Sequence, residues 1–306
     1  MTERKRSKAA CLLPALAGGC LLVLLLSAGV VLVFAGYLAL APAPAQGPAE
    51  VPGELLAPPE AVAAAEPPRP AYAPDALAPG EKLTYELVWN HIPVGRFTVE
   101  VLDRATVRGI PCMHFKMAAR TNDVADKIYP VRTTIHSYAA TDLSRSMRYL
   151  KNQNEGDRSR IVALEFLWDR DRVRYVKDGD LRGLYDVQPG AVDPLTLFYV
   201  LRCRELKVGV AEELVVSDGR HCVASSAEVL RREQIEIGGE QRDAFVLAPN
   251  VDDMRGVFAK SEDAHLYIWV SADEDRVPLR IESKVIVGSF YGSLVDHVRP
   301  DETGGE

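Results

Sequence analysis

Lys82–Val101 reads KLTYELVWNHIPVGRFTVEV, and its side chains change character at every second residue. Leu83, Tyr85, Leu87 and Trp89 alternate with Thr84, Glu86 and Val88, and Phe97, Val99 and Val101 alternate with Thr98 and Glu100. Side chains of an extended chain point to opposite faces in turn, so this period marks strands with one buried face rather than a helix. The same alternation recurs at Val162, Leu164, Phe166 and Trp168, at Leu266, Ile268 and Val270, and at Leu279, Ile281, Val285 and Val287.

Turn signals separate the runs. Asp178-Gly179 follows Val173–Val176, Asp218-Gly219 divides Leu214–Val216 from Cys222-Val223, and Gly238-Gly239 divides Ile235–Ile237 from Phe245–Leu247. Such dipeptides supply the positive φ of tight hairpins, and links this short join antiparallel neighbours. The pattern predicts about a dozen strands, more than a flat open sheet carries without curling. The expected fold is mainly β: a large curled antiparallel sheet, partial barrel or spiral, with one short helix.

That helix is predicted at Asp193–Arg202. Asp193 suits the N-cap, Pro194 the first turn, and Leu195, Phe198 and Leu201 recur on one face. Arg202 and Arg204 are expected to complement the C-terminal end of the helix dipole. The helix is expected to plug or cover one end of the sheet.

The N-terminus sets the expected compartment. Arg4, Lys5, Arg6 and Lys8 precede an uncharged stretch whose apolar part, Leu12–Leu40, exceeds the length of about 20 residues that spans a bilayer. Residues 1–41 therefore read as a basic cytoplasmic tail and an uncleaved signal anchor, a single pass of the inner membrane with the rest in the periplasm. The alternative is cleavage after Ala45, behind the small residues Ala43 and Ala45, with export. Leu16–Cys20 loosely resembles a lipobox, but most of the apolar run follows Cys20, which reads better as a small thiol buried in the span. Residues 42–79 are a Pro/Ala-rich linker, able in polyproline II to hold the domain on the order of 100 Å from the membrane. Residues 80–298 form the β-rich domain, and 299–306 a disordered tail.

Four segments in this order resemble the bacterial domain-of-unknown-function family 3108: GEKLTYELVWNHIPVGRFTVEV at Gly80–Val101, the stretch around Tyr129–Tyr138 followed by Asp142, DPLTLFYVLR at Asp193–Arg202, and HLYIWVSADEDRVPLRIESKVIVGSF at His265–Phe290. The resemblance implies an exported or membrane-anchored envelope protein of β-rich fold with no established activity. It supplies no catalytic residues.

The chemistry expected of the domain is sparse. With 36 basic and 43 acidic residues the net charge is -7, which gives no basic footprint for nucleic acid. Neither a G-x-S-x-G elbow, a Walker A loop, a dinucleotide-binding G-x-G-x-x-G nor an H-E-x-x-H occurs. The six histidines, at 91, 114, 136, 221, 265 and 297, form no i, i+4 pair. Asp252-Asp253 and Asp273–Asp275 lack the order of an EF-hand loop, and the second reads as a polar turn. No metal, cofactor or catalytic residue is assigned. Among Cys112, Cys203 and Cys222 a Cys203–Cys222 disulfide would close a loop of about 20 residues and stabilise by about 3 kcal/mol. The alternative is three small buried thiols.

Two functional classes remain, with a blander third. The leading expectation is a non-enzymatic envelope domain that binds a lipid or other amphiphile, or an envelope protein, with Trp89, Tyr129, Phe198, Tyr199 and Trp269 as the bulky groups at the mouth. Aromatics at such positions are also what a plain core uses. The competing expectation is an envelope hydrolase acting on carbohydrate or cell-wall material through carboxylates from distant strands. The third is a structural domain that adds a strand to a partner protein at its edge.

Overall fold

The computed structural model describes residues 77–250, 265–285 and 288–300. The apolar segment 12–40, the linker up to residue 76, Asp252-Asp253 and the tail from residue 301 lie outside the described residues. Among the described residues no helix is long and apolar enough to cross a membrane.

The described chain forms a sheet of fourteen antiparallel strands: β1 (Lys82–Trp89), β2 (Ile92–Val107), β3 (Ile110–Thr121), β4 (Val131–Ala140), β5 (Ser146–Glu155), β6 (Arg158–Leu167), β7 (Arg172–Lys177), β8 (Asp180–Asp186), β9 (Ala211–Ser217), β10 (Cys222–Ile237), β11 (Glu240–Pro249), β12 (His265–Ser271), β13 (Pro278–Val285) and β14 (Gly288–Val298). Two helices interrupt it, α1 (Asp123–Asp126) and α2 (Pro194–Arg202). The spatial order is β8-β7-β6-β5-β4-β3-β2-β1-β14-β13-β12-β11-β10-β9. Two arms, each a run of hairpins, thus meet where β1 pairs with β14, and the sheet stays open with β8 and β9 at its edges.

The alternating side chains go where the period puts them. Leu83, Tyr85, Phe97, Val99, Phe115 and Met117 are buried on the concave face, and Tyr85 stacks on its cross-strand partner Phe97 with centroids 4.5 Å apart. Each such side chain contributes about 1.5–3 kcal/mol by leaving water. Leu266, Ile268, Val270, Leu279 and Ile281 join the same core, while Val287 lies outside the described residues. Val162, Leu164 and Phe166 line the inner face of β6; Trp168 lies beyond the strand end and donates its indole N–H to Ser146 O at 2.8 Å. The Asp178-Gly179, Asp218-Gly219 and Gly238-Gly239 dipeptides all turn between consecutive strands, and Asp273–Asp275 lies in the β12–β13 turn.

The sheet curls around α2. Every residue from Pro194 to Arg202 is buried, so the helix has no solvent face; its first end meets Ser146 at the start of β5 and its last end meets Glu81 just before β1. Tyr199 stacks on Phe115 of β3 with centroids 3.8 Å apart. At the N-terminus, Asp193 caps as expected: its Oδ1 accepts from the N–H groups of Leu195 and Thr196 at 2.9 and 3.0 Å, and its Oδ2 accepts from Ser137 of β4 and Ser146 of β5 at 2.6 and 2.5 Å. At the other end Arg202 stands in the last turn, as expected, and does more. It is fully buried and forms a bidentate pair with Glu81, Nη1–Oε2 and Nη2–Oε1 both 2.7 Å, so it anchors α2 to the start of β1 instead of merely complementing a dipole.

The segment before α2 ties the two arms together. Val192 makes a parallel bridge to Val216 of β9, donating to Val215 O and accepting from Ser217 N, both at 2.9 Å, while Ser146 N of β5 donates to Ala191 O at 3.1 Å. Nearby the β9–β10 turn lies against β6. A Cβ on Gly219, whose φ is +90°, would collide with the side chain of Leu164.

Candidate functional site

In an antiparallel meander successive turns fall at opposite poles. Within the first arm the β1–β2, β3–β4, β5–β6 and β7–β8 links share the upper pole, whereas β1 begins and α2 ends at the lower one, where Arg202 meets Glu81. The two poles differ in chemistry. The middle and lower concavity is filled by α2 and its aromatic stack, but towards the upper pole the inner wall of β4, β5 and β6 turns polar.

This polar wall follows from register. Thr133 of β4 lies opposite Gln153 of β5, and Gln153 lies opposite Arg160 of β6, so the three share the inner face. Lys151 stands one inward position further along β5, between Ile135 and Val162. Thr133, Gln153 and Glu155 are buried, and Lys151 and Arg160 are half-buried. Thr133 Oγ1 donates to Glu155 Oε1 at 3.5 Å. Asp218 closes the group from the β9–β10 turn, where its Oδ1 accepts the N–H groups of Arg220 and His221 at 3.1 and 2.8 Å.

Electrostatics follow from this enclosure. Burial pulls the Lys151 ammonium below its ordinary pKa; Glu155 and Asp218 oppose that shift, and Arg160 adds to it. Burial likewise raises the Tyr149 and Tyr175 phenols, with the negative charge of Asp218 acting in the same direction on both. These groups therefore sense one another where the β9–β10 turn lies against the β5–β7 wall.

Apolar side chains are exposed on the links at this pole. Ile92, Val124 and Ile128 are 56%, 65% and 83% exposed. The β3–β4 link that presents the last two is firmly built: Asn122 Oδ1 caps α1 by accepting from Val124 N and Ala125 N, and Arg132 pairs with Asp126 at 2.5 Å. Tyr129 is half-buried over the β5–β6 turn, where a Cβ on Gly156 would stand 2.7 Å from its Cε2. Trp89, at the end of β1, is half-buried and stacks on Phe290 with centroids 6.2 Å apart.

Of the five aromatic candidates the structure thus brings Trp89 and Tyr129 to one pole. Phe198 and Tyr199, each 1% exposed, belong to the core of α2. Trp269 is buried on the half of β12 nearer the lower pole, its indole N–H bonded to Glu233 Oε1 at 2.7 Å. Cys203 and Cys222 are separate free thiols, as is Cys112, so the bridge expected between the first two is not formed. Cys203 serves as the C-cap of α2, while Cys222 Sγ accepts from Gln188 N at 3.3 Å. Cys112 donates to Ile110 O, and burial raises its thiol to about 11, a setting for an inert thiol rather than a nucleophile.

Sequence reading missed the polar wall because Lys151-Asn152-Gln153-Asn154-Glu155 contains no apolar residue to mark the period. It also missed that His114 and His136, far apart in sequence, meet on neighbouring strands with Nε2 and Nδ1 2.9 Å apart. Among the described residues no cluster of three or more metal-ligating side chains occurs.

Comparison with known proteins gives a family and a distant likeness of shape. A family model described as "Protein of unknown function (DUF3108)" matches residues 84–295. No curated protein matches. A beta-barrel-like protein of a domain of unknown function, DUF1849, from Brucella abortus is 11% identical, with a TM-score of 0.44 over 72% of this chain and 98% of that one. A chain described as a lipoprotein, from Parabacteroides distasonis, is 9% identical, with a TM-score of 0.30 over 72% of this chain and 96% of that one.

Proposed function

From the premise that this chain belongs to the DUF3108 family, whose description is of proteins of unknown function, we propose that it is a non-enzymatic, membrane-tethered envelope domain that receives an amphiphile at its upper pole. One observation carries the reading: exposed Ile92, Val124 and Ile128 and half-buried Trp89 and Tyr129 lie on the strand ends and links at the same end of the sheet as the inward-facing Thr133, Gln153 and Lys151. Apolar surface with polar groups at the same end suits a molecule with both characters. The amphiphile is held near the mouth, because α2 occupies the deeper concavity.

Tethering rests on the sequence of residues 1–41, with the domain in the periplasm. A reporter fused to the C-terminus is expected to be active only outside the cytoplasm, and activity confined to the cytosol would overturn this part.

Binding is tested on the full-length chain in lipid nanodiscs. Native mass spectrometry after gentle extraction is expected to retain an amphiphile, and a fluorescent lipid probe to titrate to saturation. The double substitution Trp89→Ala, Tyr129→Ala should weaken the probe by about tenfold or more, the usual scale for losing aromatic anchors. No retained molecule together with no saturable binding would reject the reading.

A second reading has one observation in its favour. β8 is an edge strand whose outer backbone groups face no other strand of the sheet, a place where a partner could add a strand. In-cell crosslinking from Leu184 that yields one dominant protein partner, with no ligand found, would favour it.

A further inference from the structure

We propose that Lys151 and Arg160 form the head-group subsite of this domain and select an anionic amphiphile, one ending in a carboxylate or phosphate. The inference deepens the proposed function and rests on it for the apolar part of the ligand. It stands on how charge is distributed along the inner wall. Lys151 and Arg160 face inward as diagonal neighbours on adjacent strands, and neither forms a salt bridge or hydrogen bond with a described residue. The acidic groups beside them bond to other donors and reach Lys151 through charge alone: Glu155 accepts from Thr133, and Asp218 accepts from two N–H groups of its own turn. Lys151 and Arg160 therefore keep donors that no described residue accepts, although the charges of Glu155 and Asp218 act on Lys151 from nearby.

Removing an ammonium from water without a bonded partner is costly, and a protein with no use for the charge would gain by placing an apolar residue there. The neighbours across the strands, Ile135 and Val162, show that the position accommodates one. Burial also pulls the Lys151 ammonium below its ordinary pKa, and an arriving anion would oppose that shift. Arginine adds a planar fork that matches the two oxygens of a carboxylate or phosphate.

The experiment uses the full-length chain in nanodiscs of zwitterionic lipid and four probes: octanoate, octanol, octyltrimethylammonium and inorganic phosphate. Octanoate is expected to bind saturably and more tightly than octanol. Lys151→Gln should weaken octanoate by about 10- to 100-fold, the range for losing a charged hydrogen bond, and change octanol by less than about twofold. Arg160→Gln should act in the same direction, and Lys151→Arg should recover part of the loss. The 15N resonance of Lys151 Nζ in the wild type should shift on adding octanoate, a readout that does not depend on any variant folding.

The outcomes separate this inference from the reading beneath it. If octanol and octyltrimethylammonium bind as tightly as octanoate, or Lys151→Gln leaves octanoate unchanged, the anionic subsite is wrong while amphiphile binding stands. Binding of phosphate alone, lost in Lys151→Gln, would keep the anion site and remove the amphiphile. Failure of all four probes rejects both.

Discussion

Individual residues hold the lower pole by charge. Arg202 and Glu81 form a buried bidentate pair, and His297 approaches Glu81 Oε1 at 3.2 Å. Burial alone would raise the Glu81 carboxyl, but the hydrogen bonds and charges of His297 and Arg202 hold it below its ordinary value. Removing one partner strands the other's charge in a dry site, so Arg202→Met should destabilise by about 3–5 kcal/mol in urea unfolding. The double variant Glu81→Leu, Arg202→Met should cost less than that single one; a larger, additive loss would contradict the account. His114 gives a second residue-level test. Burial first, then neighbouring His136 and Lys116, push its pKa down to about 4, against the hydrogen bond at Asp103. An unfolded histidine with an ordinary value of 6.5 takes up a proton that the folded ring refuses, so stability should fall as pH drops from 6.5 towards 4. After allowance for solvent screening the loss is on the order of 1–2 kcal/mol, and His114→Gln should flatten that slope. Glu81 acts in the same sense at lower pH, its contribution being lost as pH falls through its depressed value.

Among the elements, α2 explains why a sheet this large needs no second layer. A helix buried all round supplies the inner surface that the concave face would otherwise expose. Its N-cap is more than a cap, because Asp193 also accepts from the hydroxyls of Ser137, Ser146 and Thr196 and so binds the helix to β4 and β5. An ordinary N-cap is worth about 1 kcal/mol, but Asp193→Ala would also orphan three buried hydroxyls, so a loss of about 3 kcal/mol is expected. Thermal unfolding of Asp193→Ala and Asp193→Asn checks this; equal and small effects would mean that the hydroxyls find other partners. This element was legible in the sequence down to its cap because Asp-Pro followed by spaced Leu and Phe states a local preference. Its burial was not, since the polar contacts that admit Asp193 and Arg202 to the interior come from Ser137, Ser146 and Glu81, 47 to 121 residues away. The same limit hid the polar wall. Strands with an apolar face announce themselves by period, whereas β5 carries Lys151, Gln153 and Glu155 inward, and only its partners' register reveals which way they point.

For the molecule as a whole, the curled antiparallel architecture was readable because hairpins are local: turn dipeptides and alternating runs specify each strand pair from within a few residues. What joins the two arms was not, because β1 pairs with β14 across nearly the whole domain, Lys82 facing Val298. That single distant pairing has a consequence for chain order. Read from β9 through β14 and on from β1 to β8, the strands succeed one another in space without a break. A circular permutant that joins residue 298 to residue 82 through a short linker, with new ends at exposed Val208-Gly209, should therefore keep the sheet while turning its one remote seam into another hairpin. Because remote contacts slow folding, the permuted chain should fold faster than the natural one, whose two halves must find each other last.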